Sequence, residues 1–225
     1  MTVVVSARGL TRRLNEGPEE VTLVEDIDLD INKGEFVAVT GPSGCGKSSL
    51  LYLLGLLDTP SAGEITLEEN KVSGLSSDEL SKVRLAKIGF VFQFHFLLPE
   101  FTLLENVQIP MRRLGDLSPS ACSKRALELL AELGLKDVAD RLPGNVSGGQ
   151  RQRAAIARAV ANHPLMLLAD EPTGNLDSKN SQLVSDMFRN LVEQHGQTVI
   201  MVTHDLGLAE HTDRQIKMLD GRLER

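Results

Sequence analysis

Apolar and polar positions alternate over Ile27, Leu29 and Ile31 against Asp28, Asp30 and Asn32, which predicts a half-buried strand. Lys33-Gly34 then turns the chain into FVAVT, Phe36 to Thr40, a continuous apolar run that predicts a buried strand. A helical segment follows from about Lys47 to Leu57, then short strands at about Glu64 to Leu67 and at Ile88 to Phe92. The middle of the chain changes period. Thr102 followed three residues later by Glu105 fits a capping box, and Ser118-Pro119 opens a second helix that Gly134 stops, with Leu127, Leu130 and Leu133 near one face. From Gln150 the alternation returns as a helix to about Asn162, the strand LMLLA, a helix with Val184, Met187, Phe188 and Leu191 on one side, and the strand TVIMV, Thr198 to Val202. Strands alternating with helices predict a mostly parallel sheet covered on both faces, an α/β fold. The tail, Gln215 to Leu219, Asp220-Gly221 and Arg222 to Glu224, predicts a closing hairpin on a primed turn.

Composition narrows the classes. The chain has 225 residues, 41% of them hydrophobic and 24% charged, and is long enough to bury a substantial core as one large domain. Its longest near-apolar stretch, LLYLLGLL, is far shorter than the roughly 20 residues of a membrane span, and MTVVVSARGL lacks the features of a secretory signal. A cytosolic location is expected. Cys45 and Cys122 make no disulfide framework and have no metal-ligand spacing. With 31 acidic residues against 24 Lys plus Arg, broad nucleic-acid binding is not expected.

Chemistry concentrates between the strand ending at Thr40 and the helix beginning at Lys47. There GPSGCGKS (Gly41, Pro42, Ser43, Gly44, Cys45, Gly46, Lys47 and Ser48), followed by Ser49, matches G-x-x-x-x-G-K-[ST]. Its glycines let backbone N–H groups turn around an anion, and the next helix adds the positive end of its dipole. Lys47 is expected on the β- and γ-phosphates and the Ser48 hydroxyl on Mg²⁺. Asp170 and Glu171 end the run LMLLA, at the strand edge where open α/β sheets bind ligands. One acid can hold a metal while the next orients or deprotonates water. Ser147 can cap the helix that follows VSGGQ, and Gly148-Gly149 allow its N–H groups to approach a phosphate. Cys45 lies near a helix N-terminus, where thiols can be reactive, but a small loop filler is the plainer reading.

The phosphate loop, Gln93 after a strand, VSGGQRQRAAIARA, LMLLADEP, GNLD and a late His204 stand in an order that resembles the ATP-binding-cassette ATPases, from about Val3 to Arg225. The resemblance implies a single domain over 1–225: a P-loop NTPase core (1–92 and 161–225), an N-terminal antiparallel β portion, and a helical subdomain (about 93–160) carrying the signature. It also implies two copies packed head to tail with ATP between one phosphate loop and the other signature. Lys47 and Ser48 would bind phosphate and Mg²⁺. Gln93 would touch metal and water and sense a membrane partner, while Asp170 would support the metal. Glu171 would be the general base. Ser147, Gly148, Gly149 and Gln150 would close over the partner's γ-phosphate, Asp177 would link the sites, and His204 would contact the γ-phosphate. His95 has no such role and reads as surface or packing. Phe94, Phe96, Leu97 and Leu98 read as helical core, as a groove for a membrane subunit, or as a mixture.

Two positions depart from the pattern: Leu14, flanked by Arg12 and Arg13, stands where an adenine-stacking aromatic is common, and Val146 opens the signature in place of Leu. FVFQFHFLLPEFTLLENVQIP and ADEPTGNLD resemble most the lipoprotein-releasing (LolD-type) and macrolide-exporter (MacB-type) subfamily. That implies an ATPase at the cytoplasmic membrane face driving integral membrane permease subunits. The alternative is a regulatory cassette ATPase of the cell-division type, signalling to a cell-wall hydrolase. The segment between Gln93 and the signature is too short for the long heptad insertion of a DNA-repair cassette, and no N-K-x-D tetrapeptide supports a GTPase.

Overall fold

A computed structural model describes residues 2–16 and 19–224. Gly17, in the stretch beside Leu14, and Arg225 lie outside the described residues. Two sheets organise them. β1 (Val3–Glu16), β2 (Glu19–Asn32), β4 (Ala62–Leu67) and β5 (Asn70–Lys71) form an antiparallel sheet in the order β2-β1-β4-β5. The second sheet takes β3 (Phe36–Thr40), β6 (Ile88–Phe92), β7 (Met166–Asp170), β8 (Thr198–Val202), β9 (Arg214–Leu219) and β10 (Arg222–Leu223) in the order β10-β9-β3-β8-β7-β6. All its pairings are parallel except β9 with β10.

Three of the parallel strands, β3, β7 and β8, are buried at every residue, which is why each reads as an unbroken apolar run. Their side chains still divide by face. Val37, Val39, Leu168, Ile200 and Val202 join α1 (Lys47–Leu54) and the inner face of the antiparallel sheet in one core. Phe36, Leu167, Ala169, Val199 and Met201 join the other core, with α3 (Leu103–Leu114), α4 (Pro119–Glu132), α5 (Gly148–Val160) and α6 (Ser178–His195). Phe188 of α6 is fully buried, its ring centroid 6.3 Å from that of Phe36. The closing hairpin turns at Asp220 and Gly221, both with positive φ, as a primed turn requires.

Several boundaries differ from the sequence reading. α1 ends at Leu54 because the Gly55 N–H closes the last turn onto the Leu51 carbonyl and Leu56 is left-handed. α4 buries Cys122, Ala126, Leu129 and Leu130, whereas Leu127 is 39% exposed and Leu133 only half-buried. Small residues complete that stripe where a search for leucines does not look. α5 begins two residues before Gln150 and stops at Val160. α2 (Ser77–Lys87) was not apparent, since none of its residues is fully buried; its one signal is the capping box of Ser76 and Glu79. α7 (Leu206–Glu210) is short and capped by Asp205. No helix among the described residues is long and apolar enough to cross a membrane.

Candidate functional site

The loop between β3 and α1 is threaded through a space that admits no side chain at two of its glycines. A Cβ on Gly41 would stand 2.2 Å from the Met218 carbonyl oxygen, and one on Gly46 would stand 2.1 Å from the Leu23 carbonyl oxygen. Both have positive φ, 146° and 98°. Pro42, Ser43 and Gly44 are exposed, and Ser49 is half-buried. The Lys47 ammonium, buried, donates to the carbonyls of Gly41 and Pro42 at 2.8 Å each. Cys45 is 4% exposed and packs into the core under the loop, and its N–H donates to the Pro42 carbonyl at 3.4 Å. It fills space, as the plainer sequence reading has it.

Register carries the next residues to the same edge. Asp170 ends β7 opposite Phe92 of β6 and Val202 of β8, so Gln93, Glu171 and Thr203 leave the sheet side by side. Asp170 is 9% exposed, and both its oxygens are held: Ser48 Oγ donates to Oδ1 at 2.9 Å and Tyr52 OH to Oδ2 at 2.8 Å. Burial and then the bond to Asp170 push the Tyr52 phenol up to about 12. Glu171 has a left-handed φ of 49°, uncommon away from glycine and enriched at functional sites, and its N–H donates to the Val202 carbonyl. Its Oε2 lies 2.5 Å from His204 Nδ1. Gln93 Nε2 donates to Asn175 Oδ1 at 3.3 Å, and Asn175 Nδ2 returns a bond to the Gln93 carbonyl.

A second group gathers at the start of α5. Ser147 is its N-cap: Oγ accepts from the Gln150 N–H, and the Gln150 side chain accepts from the Ser147 N–H, so two orphan donors are satisfied at once. Gly149 lies against Asn180, where a Cβ would stand 2.3 Å from Oδ1. Asn180 bonds both carboxylate oxygens of Asp177, the N-cap of α6, through its backbone N–H and Nδ2, and these bonds hold the Asp177 carboxyl below its ordinary range. The structure thus brings Lys47, Ser48, Asp170, Glu171 and His204 together at the sheet edge. Ser147 to Gln150 and Asp177 form a separate cluster, and no hydrogen bond among the described residues joins Ser147 to the phosphate loop.

Residues between the two groups were undervalued by sequence reasoning. His95 is half-buried and its Nε2 lies 3.2 Å from the Gly148 carbonyl; burial, then Arg151, keeps its pKa below the usual imidazole value. Arg158 of α5 donates to the His95 and Phe96 carbonyls at 2.7 and 2.6 Å. Phe94 and Phe96 are each 64% exposed and Leu98 is exposed, whereas Leu97 packs on the helical core, so only Leu97 fits the core reading. Phe96 meets Phe92 edge-on at 5.4 Å between centroids, and Phe92 meets Tyr52 at 6.4 Å. Tyr52 and Asn175 carried one usable signal each: Tyr52 is four residues after Ser48 on the same helix face, and Asn175 is the second residue of GNLD.

The donor set suits a hard cation completed by a ligand's phosphates. Ser48 Oγ and Asp170 Oδ1 are adjacent oxygens, and no group of three His, Cys, Asp or Glu side chains among the described residues could enclose a metal by itself.

The ABC transporter family model matches residues 24–174. The chain is 46% identical over 222 residues to the lipoprotein-releasing system ATP-binding protein LolD of Bacteroides thetaiotaomicron, covering 99% of this chain and 100% of that one. It is 50% identical over 201 residues, 89% of each chain, to the protein of the same name from Aquifex aeolicus. Among solved structures it is similar to the dimeric ATP-binding cassette MJ0796, also described in a post-hydrolysis state bound to ADP and Pi. The TM-score is 0.91 at 43% identity, covering 98% of this chain and 97% of the other.

Proposed function

The chain belongs to the ABC transporter family as an ATP-binding, ATP-hydrolysing subunit, and from that premise we propose that it powers lipoprotein release by integral membrane permease subunits at the cytoplasmic face of the membrane. The names of its relatives favour this reading over a cell-wall regulator. The observation that carries the site assignment is the convergence of Lys47, the Ser48–Asp170 pair and the Glu171–His204 pair on one sheet edge.

In this reading the β- and γ-phosphates of ATP lie on the N–H groups of the loop from Gly41 to Ser49 and on the N-terminus of α1, where dipole and unpaired donors attract anions. Lys47 exchanges the Gly41 and Pro42 carbonyls for phosphate oxygens. Ser48, Asp170 and Gln93 would hold Mg²⁺, which would supply neutralisation of phosphate charge when bound. Glu171 accepts the proton of the attacking water as its oxygen bonds to the γ-phosphorus and the bond to the ADP oxygen breaks, giving ADP and phosphate. His204, bonded to Glu171, holds that carboxylate and reaches the γ-phosphate. Positioning and electrostatics account for the rate. Ser147, Gly148, Gly149 and Gln150 of a second copy complete the site, with Asp177 between the two sites and the helical segment 93–160 as the moving subdomain. Glu171→Gln is then expected to hold ATP and elute as a dimer on size exclusion with MgATP, and to co-purify permease subunits from membranes. Elution as a monomer at saturating MgATP would sink the assignment.

A further inference from the structure

Asp170 offers two oxygens, and only one of them belongs to the phosphate side. Oδ1 is bonded to Ser48, the residue at the phosphate loop; Oδ2 faces Tyr52. Ser48 and Tyr52 are one helical turn apart on α1, so a single rigid element presents two hydroxyls to one carboxylate from the same face. Tyr52 is itself fixed, half-buried and edge-on to Phe92, the residue directly opposite Asp170 in the β6–β7 register. A carboxylate rotates about its last bond through a broad, two-fold well, so without a second anchor its oxygens exchange places freely.

We propose that Tyr52 is a positioning residue that locks the Asp170 carboxylate by occupying Oδ2, so that Oδ1 stays beside Ser48 as the oxygen presented to the cation of the nucleotide. The inference rests on the assignment of Ser48 and Asp170 to the metal. Tyr52 touches neither nucleotide nor cation and acts only through Asp170.

The chain has one tyrosine and no tryptophan, so its emission on excitation beyond the phenylalanine absorption band reports Tyr52 alone. A phenol bonded to a carboxylate is quenched. In the full-length protein without nucleotide, Asp170→Asn is expected to raise tyrosine emission above that of the wild type, and adding Mg²⁺ to the ADP-loaded wild type is expected to change emission relative to ADP with chelator. In Tyr52→Phe, which keeps the ring against Phe92, the Mg²⁺ concentration for half-maximal binding of a fluorescent ADP is expected to rise about three- to ten-fold, on the scale of the net contribution of one ordinary hydrogen bond, because the lost bond acts on the cation only through Asp170. The Mg²⁺ requirement of hydrolysis is expected to rise more than kcat at saturating Mg²⁺ falls. A purely structural tyrosine would lower the melting temperature and leave the Mg²⁺ dependence alone. If Asp170→Asn and Ser48→Ala weaken Mg²⁺ binding while Tyr52→Phe does not, the positioning role is wrong and the metal assignment stands. If none of the three changes it, the metal assignment itself is wrong.

Discussion

Gly46 is the tightest point of the phosphate loop, and its replacement by alanine can be worked through against a matched control. Gly46 caps α1 with φ 98°, and a side chain there pays for a positive φ with about 1–2 kcal/mol. The new Cβ would also stand 2.1 Å from the Leu23 carbonyl oxygen and 3.3 Å from its carbon, both backbone atoms of β2 that cannot rotate aside. Forcing the strand or the loop to yield adds about 1–3 kcal/mol, as overpacking does elsewhere. Gly44, two residues earlier, has φ 80° and nothing within 4 Å of its Cβ position, so Gly44→Ala carries the backbone strain alone. At about 2–4 °C per kcal/mol for a domain of this size, Gly44→Ala is expected to lower the melting temperature by about 2–8 °C and Gly46→Ala by about 4–20 °C. Calorimetric unfolding of the two full-length variants without nucleotide measures the gap. ADP affinity, read on the same samples, is expected to fall further for Gly46→Ala because the strain displaces Lys47 next to it. Equal melting temperatures to within about one degree would show that contact with Leu23 does not constrain the loop.

Other outcomes follow from single positions. Leu14, half-buried on β1 opposite Val21, offers no ring for a base, so ATP and GTP are expected to be hydrolysed with similar kcat/KM, and Leu14→Tyr, whose ring stacks on either purine, to lower KM for both roughly five-fold or more. An unchanged KM for both nucleotides in the variant would refute this. His95 and His163 both have depressed pKa values, each mainly from burial and then from a neighbouring arginine, Arg151 or Arg125. The unfolded chain therefore binds more protons than the folded one as pH falls through the ordinary histidine value of about 6.5, and stability is lost in that window. The melting temperature is expected to drop between neutral and mildly acidic pH, and less steeply in His95→Gln and His163→Gln; identical slopes in all three proteins would exclude the two histidines as its source.

The parts of the fold that were legible in the chain are those with a period long enough to be unmistakable. β3, β7 and β8 could be bounded closely because strands buried on both faces leave unbroken apolar runs, and the loop after β3 because its glycines and lysine have fixed offsets. α2 was hidden for the opposite reason: a helix with no fully buried residue leaves no stripe. The α4 stripe was misread because Cys122 and Ala126 do the packing expected of leucines. In the site, Lys47, Ser48, Asp170, Glu171 and His204 announced themselves through motifs. His95 did not, since its partner Gly148 is 53 residues away and only folding brings them within 3.2 Å. Tyr52 carries no motif: it sits inside the near-apolar run LLYLLGLL, where its ring packs against the core and nothing local marks the bond its hydroxyl makes to Asp170.

The rings of Phe96, Phe92 and Tyr52 stand in file from solvent to the sheet edge. The middle ring is held in common: Phe92 braces the exposed Phe96 on one side and the phenol that grips Asp170 on the other, so shrinking it to alanine would loosen both neighbours at once.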